Sequence, residues 1–349
     1  MGDRDMSALR NSILDKITTS PWPVPTEQLR PQAGLRRYLS ACLFHWHGLL
    51  SEKVTRVRCQ TGELAQEAFD VDEVRQRPMP WSSKHVMWLR DTGTTLTTAC
   101  GKIARIWQLA HHNDKTTLSA WAKHYRNHYC LDSEIDDLKD GTGLSRCDYL
   151  CQYVFPDDTA APGPSIRAGD FAEILVADFL EFKEGYWVPR FKYDDKAVRN
   201  ESTKGADILG FKIVSTDESP EDTLATFEAK AKLTGKPANR LQDAVEASAE
   251  DFHVRKAESL NALKRRLIRS GRRNEAMKVR RFQDKVDRPY HEVSGAAAVF
   301  SESAYDYGLL SKTDSSTHPN QGELRLVVIK GKDLMALVHD LYRRAGDEA

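Results

Sequence analysis

Two short apolar segments that carry charges inside them constrain this chain most. Residues 206–214 (ADILGFKIV) and 224–231 (LATFEAKA) have the length and composition of β-strands, and the acidic turn STDESPEDT joins them. Successive side chains of a strand point to opposite faces, so Glu228 and Lys230 share one face while Phe227 and Ala229 pack on the other. Asp207 lies on the neighbouring strand, with twenty residues between it and Glu228. The pattern predicts two acids and a lysine clustered on adjacent strands.

The surrounding segments supply the rest of an α/β layer. Ser165 can cap a helix whose apolar positions Phe171, Ile174, Leu175, Phe179 and Phe182 fall on one stripe, with Glu173 at its edge. Residues 186–193 (YWVPRFKY) read as a strand that Pro189 confines to an edge or bulge. A helical stretch over 239–270, strands at 296–301 and 324–329, and an amphipathic helix over 332–344 with Leu334, Leu337, Val338 and Leu341 inward complete the half. The order is helix, three strands, helix, two strands, helix. It predicts a mixed sheet flanked by helices in the C-terminal half.

The first half differs in composition. All six cysteines lie within the first 151 residues, and six of the seven tryptophans precede residue 155. Residues 155–165 (FPDDTAAPGPS) have the composition of a linker. A smaller α/β N-terminal domain over 1–155, regulatory or partner-binding, and a second domain over 165–349 are therefore expected. Within the first, residues 118–129 (LSAWAKHYRNHY) carry a helical stripe, and LDSEIDDLKDGTG reads as a short capped helix ending at a glycine turn. Residues 36–50 and 52–58 are consistent with a helix or strands. The acid-bearing start has no apolar signal core, and no run approaches the ~18 apolar residues of a membrane helix. A cytoplasmic protein with reduced thiols is the expectation.

The clustered residue types point to phosphate chemistry. Mg²⁺ takes one or two carboxylates together with waters and phosphate oxygens, and Asp207 with Glu228 supply such a pair, with Glu173 as a third candidate ligand. A bound divalent cation neutralises a phosphodiester and acidifies a bound water. Lys230 beside it would stabilise charge growing in the transition state or orient the attacking water.

Glu173 in GDFAEIL, Asp207 in KGADILG and Glu228 with Lys230 in FEAKAK together resemble the PD-(D/E)xK nuclease superfamily, over roughly residues 165–260. Ala206 stands where the superfamily's proline would be. The resemblance implies a restriction-endonuclease-like fold and metal-dependent hydrolysis of DNA, with Glu173, Asp207, Glu228 and Lys230 catalytic and the three acids holding Mg²⁺ or Mn²⁺. The longer strings RAGDFAEILVADFLEF, STKGADILGF and FEAKAKL are similar to the HamA nuclease family of the Hachiman antiphage system. That similarity implies a partner helicase, HamB, which restrains the nuclease.

Charge distribution bears on the substrate. The 51 basic and 51 acidic residues cancel, which excludes a uniformly basic nucleic-acid coat. Residues 255–288 nevertheless hold thirteen Lys or Arg against four Asp or Glu, and residues 201–228 hold seven acids against two bases. Lys264, Arg265, Arg266, Arg269, Arg272 and Arg273 are candidates for holding a phosphate backbone, or otherwise form a solvated helix or a surface for an acidic partner. His124 and His128, one helical turn apart, with Cys130, Cys147 and Cys151 offer zinc-type ligands or buried packing groups. His111-His112 and His45-Trp46-His47 have no partnered acid or nucleophile nearby in sequence, so packing or surface roles are the expectation. No GxxxxGK[ST], GxGxxG or GxSxG motif is present, so any nucleotide-driven motor is a separate chain. A non-catalytic scaffold that binds nucleic acid or a helicase, and a metal-dependent RNase, remain alternatives to a DNase.

Overall fold

The computed structural model describes residues 82–349 apart from 194, 195, 197 and 202–204, with backbone alone at 253 and 254. These residues belong to a unit spanning Asp72–Ala349. Their strands are β1 (Leu89–Thr97), β2 (Ile103–Leu109), β3 (Ile208–Lys212), β4 (Thr223–Lys232), β5 (His291–Ser301) and β6 (Leu324–Gly331). They form one six-stranded sheet in the order β1-β2-β6-β5-β4-β3. The four inner strands β2, β6, β5 and β4 run parallel, and β1 and β3 close the two edges antiparallel.

The central strands are apolar or small at nearly every position, as strands covered on both faces must be. β5, HEVSGAAAVFS, is buried from its second residue to its last. Gly295 in it is dictated by packing, because a Cβ there would lie 2.4 Å from the ring of Phe227 on β4. Helices α1 (Lys115–Tyr129), α2 (Gly163–Phe182), α3 (Arg240–Glu250), α4 (Lys256–Arg269), α5 (Arg273–Arg280) and α6 (Leu334–Asp347) complete the layers. α1, α2 and α6 bury Trp121, Phe171, Phe179 and Tyr342 against Trp107, Phe227, Val299 and Ile329. α3 covers the opposite face through Leu241, Ala244 and Val245 on Ala296, Ala298 and Val328. α4 and α5 pack Leu260, Leu267 and Val279 on Phe211 and Leu224 near the β3 edge.

The expected α/β sheet with flanking helices is present, but the chain does not divide near residue 155. β2 is in register with β6 from Ala104 opposite Leu326 to Leu109 opposite Gly331, so residues 82–155 build the same sheet. Phe155, at the start of the supposed linker, is wholly buried. The segment is a connection that enters the core. Of the expected N-terminal domain, residues 1–81, with segments 36–50 and 52–58 and the His45-Trp46-His47 cluster, lie outside the described residues.

Three local expectations also change. Residues 186–193 form no strand beyond a single bridge between Trp187 and Phe211, because Pro189 lacks an N–H and the acids of α2 engage Arg190 and Lys192 instead. α2 starts at Gly163 and Ser165 sits inside its first turn, while Phe182 at its end is 36% exposed. The helical stretch over 239–270 is interrupted by a π-helical turn, Asp251–Arg255, which separates α3 from α4. Among the described residues no helix is long and apolar enough to cross a membrane.

Candidate functional site

The antiparallel register of β3 on β4 sets Ile208 opposite Phe227, which brings Asp207, just before β3, opposite Glu228. The Asp207 N–H donates to Glu228 Oε1 at 3.1 Å, and Asp207 Oδ2 accepts the Ala229 N–H at 3.1 Å. Lys230, on the same face of β4 as Glu228, donates from Nζ to Glu228 Oε2 at 3.3 Å. Three of the four expected residues therefore converge on a strand pair.

Glu173 reaches the cluster indirectly. It projects from α2, and the ammonium of Lys192 bridges it to Asp207, at 2.6 Å from Glu173 Oε2 and 2.5 Å from Asp207 Oδ1. Tyr193 OH donates to the same Glu173 oxygen at 2.5 Å. Asp251, in the π-helical turn, lies beside Glu228 and accepts a hydrogen bond from its carboxyl when Glu228 is protonated. Lys192, Tyr193 and Asp251 were not among the residues expected from sequence. The signal for Lys192 is its two-residue spacing from Arg190 in an extended segment, which sends both basic groups toward α2.

Crowding of acids shapes the electrostatics. Burial, the Asp207 charge and the neighbouring Asp251 push Glu228 up to about 10, so without a cation it is protonated near neutral pH. Burial and the Asp207 charge push Glu173 up to about 7. Burial opposes ionisation of Asp207 too, but the Lys192 ammonium and the hydrogen bond with Glu228 outweigh it and hold Asp207 below the usual carboxylate range. Lys230 is raised, because its acidic neighbours outweigh its partial burial.

A second polar cluster lies wholly inside the core. Asp178 of α2 accepts from His85 Nε2 at 2.9 Å and His124 Nε2 at 3.1 Å, and pairs with Arg190 at 2.9 Å. Among the described residues, His85, His124 and Asp178 are the group whose three donor atoms lie within 4.8 Å of one another. The protons argue against a metal there. His124 Nδ1 accepts the Ser82 N–H at 3.1 Å, which leaves the imidazole proton on Nε2, pointing at Asp178. Arg190 already supplies positive charge to the same carboxylate and also bonds Glu181 and, at 3.3 Å, His128. Burial lowers the pKa values of His85 and His128, and Arg190 and the adjacent imidazole lower them further. Of the two readings open for the His and Cys residues, the packing one fits the described residues: His124 and His128 belong to this network, while Cys147 and Cys151 lie against Gly346 of α6. His111 bonds the Lys332 carbonyl at 2.7 Å, and His112 packs on Trp88.

The family model described as HamA matches residues 84–345. The chain belongs to the HamA family. HamA is a component of the Hachiman defence system, and the chain is accordingly a Hachiman component. The match runs from before β1 into α6, so HamA includes residues 84–155 of the segment first expected to lie in a separate domain. No curated protein matches the chain.

The basic segment of this HamA chain is less uniform than its sequence suggests. Arg266 lines a groove of about 250 Å³ beside Lys192 and Asp207, together with Ser259 and Ala262 of α4. Arg265, Arg269 and Arg273 are exposed. Lys264 is engaged by Gln283, and Arg272 pairs with Glu275 at 2.5 Å while lying 4.6 Å over the Phe191 ring. Arg266 also donates to the Phe191 carbonyl, so Arg266 and Arg272 tie α4 and α5 to the 186–193 segment.

Proposed function

We propose that this HamA chain is the nuclease of its system, a Mg²⁺-dependent phosphodiester hydrolase of PD-(D/E)xK type acting on DNA under the control of a partner helicase. The observation that carries the reading is the β3–β4 register, which places Asp207 against Glu228 with Lys230 on the same face. The donor set suits a hard divalent cation: Asp207 and Glu228 are oxygen ligands held opposite each other on neighbouring strands. Asp207, Glu228 and Glu173 would hold the ion, and Mn²⁺ would substitute.

When bound, the ion supplies charge neutralisation of the phosphodiester and an acidified water. The chain's residues do the rest. Lys230 places an ammonium at the edge of the cluster, where charge develops on the scissile phosphate. Arg266 and the exposed arginines of α4 and α5 provide salt-sensitive contacts along the backbone of the substrate. Glu228 gives up its proton as the cation enters.

The test is incubation of the purified chain, alone and with its co-encoded helicase, with plasmid DNA, linear DNA and RNA, in Mg²⁺ or EDTA. Cleavage of DNA that requires Mg²⁺ and changes with the helicase is the expected outcome. Cleavage of RNA alone would assign a ribonuclease, and no cleavage under any condition would favour a scaffold.

A further inference from the structure

The position of Lys192 carries an inference that rests on the reading of the acidic cluster as a divalent-cation site. Its Nζ lies 2.6 Å from Glu173 Oε2 and 2.5 Å from Asp207 Oδ1. Mg²⁺ binds its oxygens at about 2.0–2.1 Å, so two ligands of one ion leave no room between them for an ammonium as well. Without Lys192, two partly buried carboxylates would repel across that gap, and desolvation makes such repulsion costly. We propose that Lys192 is a positioning residue that acts as a built-in counter-cation, keeping Glu173 and Asp207 together in the metal-free site and vacating the gap when a divalent cation enters.

The surroundings give the ammonium a place to go. Lys192 also lines the groove of about 250 Å³ that runs past Pro189, Asp207, Ser259 and Arg266. Rotation about its four-carbon stem carries the charge from the carboxylates into this groove, on the side of α4. There it adds to the positive charge of Arg266 and meets a polyanion. Metal and polyanion therefore help each other to bind: the polyanion draws the ammonium out of the gap, and the cation bars its return.

The experiment is Mn²⁺ binding to the full chain, read by electron paramagnetic resonance of the free ion, for wild type, Lys192→Met, Lys192→Arg and Asp207→Asn. Lys192→Met is expected to bind Mn²⁺ about tenfold more tightly than wild type, since the competing charge is gone. Lys192→Arg should stay weak, and Asp207→Asn should lose the site. Binding to Lys192→Met that is equal to or weaker than wild type, with Asp207→Asn still abolishing it, overturns the role of Lys192 and leaves the cation site standing. Absence of Asp207-dependent binding in every protein overturns both. If Lys192→Met does not fold, a crystal of the wild-type chain soaked in Mn²⁺ decides. An anomalous peak at Asp207 with Lys192 Nζ more than about 4 Å from Glu173 or Asp207 supports the proposal. A peak with the ammonium still bridging both contradicts it.

Discussion

Asp207 and Glu228 are tied to each other through the backbone as well as by charge: the Asp207 N–H donates to Glu228 at 3.1 Å, and the N–H next to Glu228, that of Ala229, donates to Asp207 at 3.1 Å. This reciprocal pairing fixes both carboxyls near the edge of a sheet whose next strand, β5, is buried from its second residue to its last. It also stores an electrostatic conflict that a bound cation would relieve.

Relief of that conflict is measurable as proton release. Burial and the neighbouring acids raise Glu228 to about 10, so at pH 7.5 it holds a proton that a divalent cation must displace. Calorimetric titration of Mg²⁺ or Mn²⁺ in buffers of different ionisation enthalpy is expected to show about one proton released per ion bound. Binding with no buffer dependence would contradict the assignment of Glu228 as a protonated ligand.

The buried network around Asp178 is a stability element. Asp178→Ala leaves the Arg190 guanidinium without its buried partner and removes the acceptor of two imidazoles, and it is expected to cost about 3–5 kcal/mol. Chemical denaturation of wild type and variant reads this directly. A loss below about 1 kcal/mol would mean that the network is a bystander.

Histidine burial gives the fold a pH dependence of known sign. His128 is held neutral, well below its ordinary value, by burial and by the charges beside it. The unfolded chain therefore binds more protons below about pH 6.5, and the contribution of His128 is lost as pH falls through that region. The stability gap between wild type and His128→Gln is expected to narrow as the pH drops from about 6.5. Glu173 acts in the opposite sense: with its folded value near 7, it contributes most below about pH 4.5 and loses that contribution as the pH rises toward 7. A gap independent of pH would remove His128 from the account.

Under the proposed function, substrate contacts would divide along the surface of α4 and α5. Exchanging the exposed Arg269 and Arg273 for Glu is expected to weaken DNA binding by more than tenfold at low salt and to lower the salt slope by about 0.9 for each phosphate no longer neutralised. The same exchange at Lys264 should act on folding, since Gln283 already engages that ammonium. Equal effects on binding from all three positions would argue against this division.

The strand pair was legible because an alternating pattern reports which residues share a face, and Glu228, Ala229 and Lys230 obey it. Glu173 was legible by its place on the edge of an apolar helical stripe. Lys192 was not, because Pro189 interrupts the pattern of its segment and the partner acids lie far away in sequence. Asp251 was hidden for a related reason: the interior of a long helical stretch carries no mark of a π-helical turn that faces a strand. The boundary expected near 155 failed on chemistry of another kind. Proline, glycine and aspartate mark a turn, yet a turn can connect two parts of one core, and the buried ring of Phe155 together with the β2–β6 pairing shows that it does.

Under the proposed function, Glu228 would hold the cation on which DNA cleavage depends. Glu228→Gln keeps the shape of the side chain and its ability to accept the Asp207 N–H, and it removes the negative charge that a metal requires. Plasmid cleavage in Mg²⁺ by this variant, with the co-encoded helicase present and folding verified by circular dichroism, is expected to fall about a thousandfold or more relative to wild type. Cleavage at the wild-type rate would contradict the account.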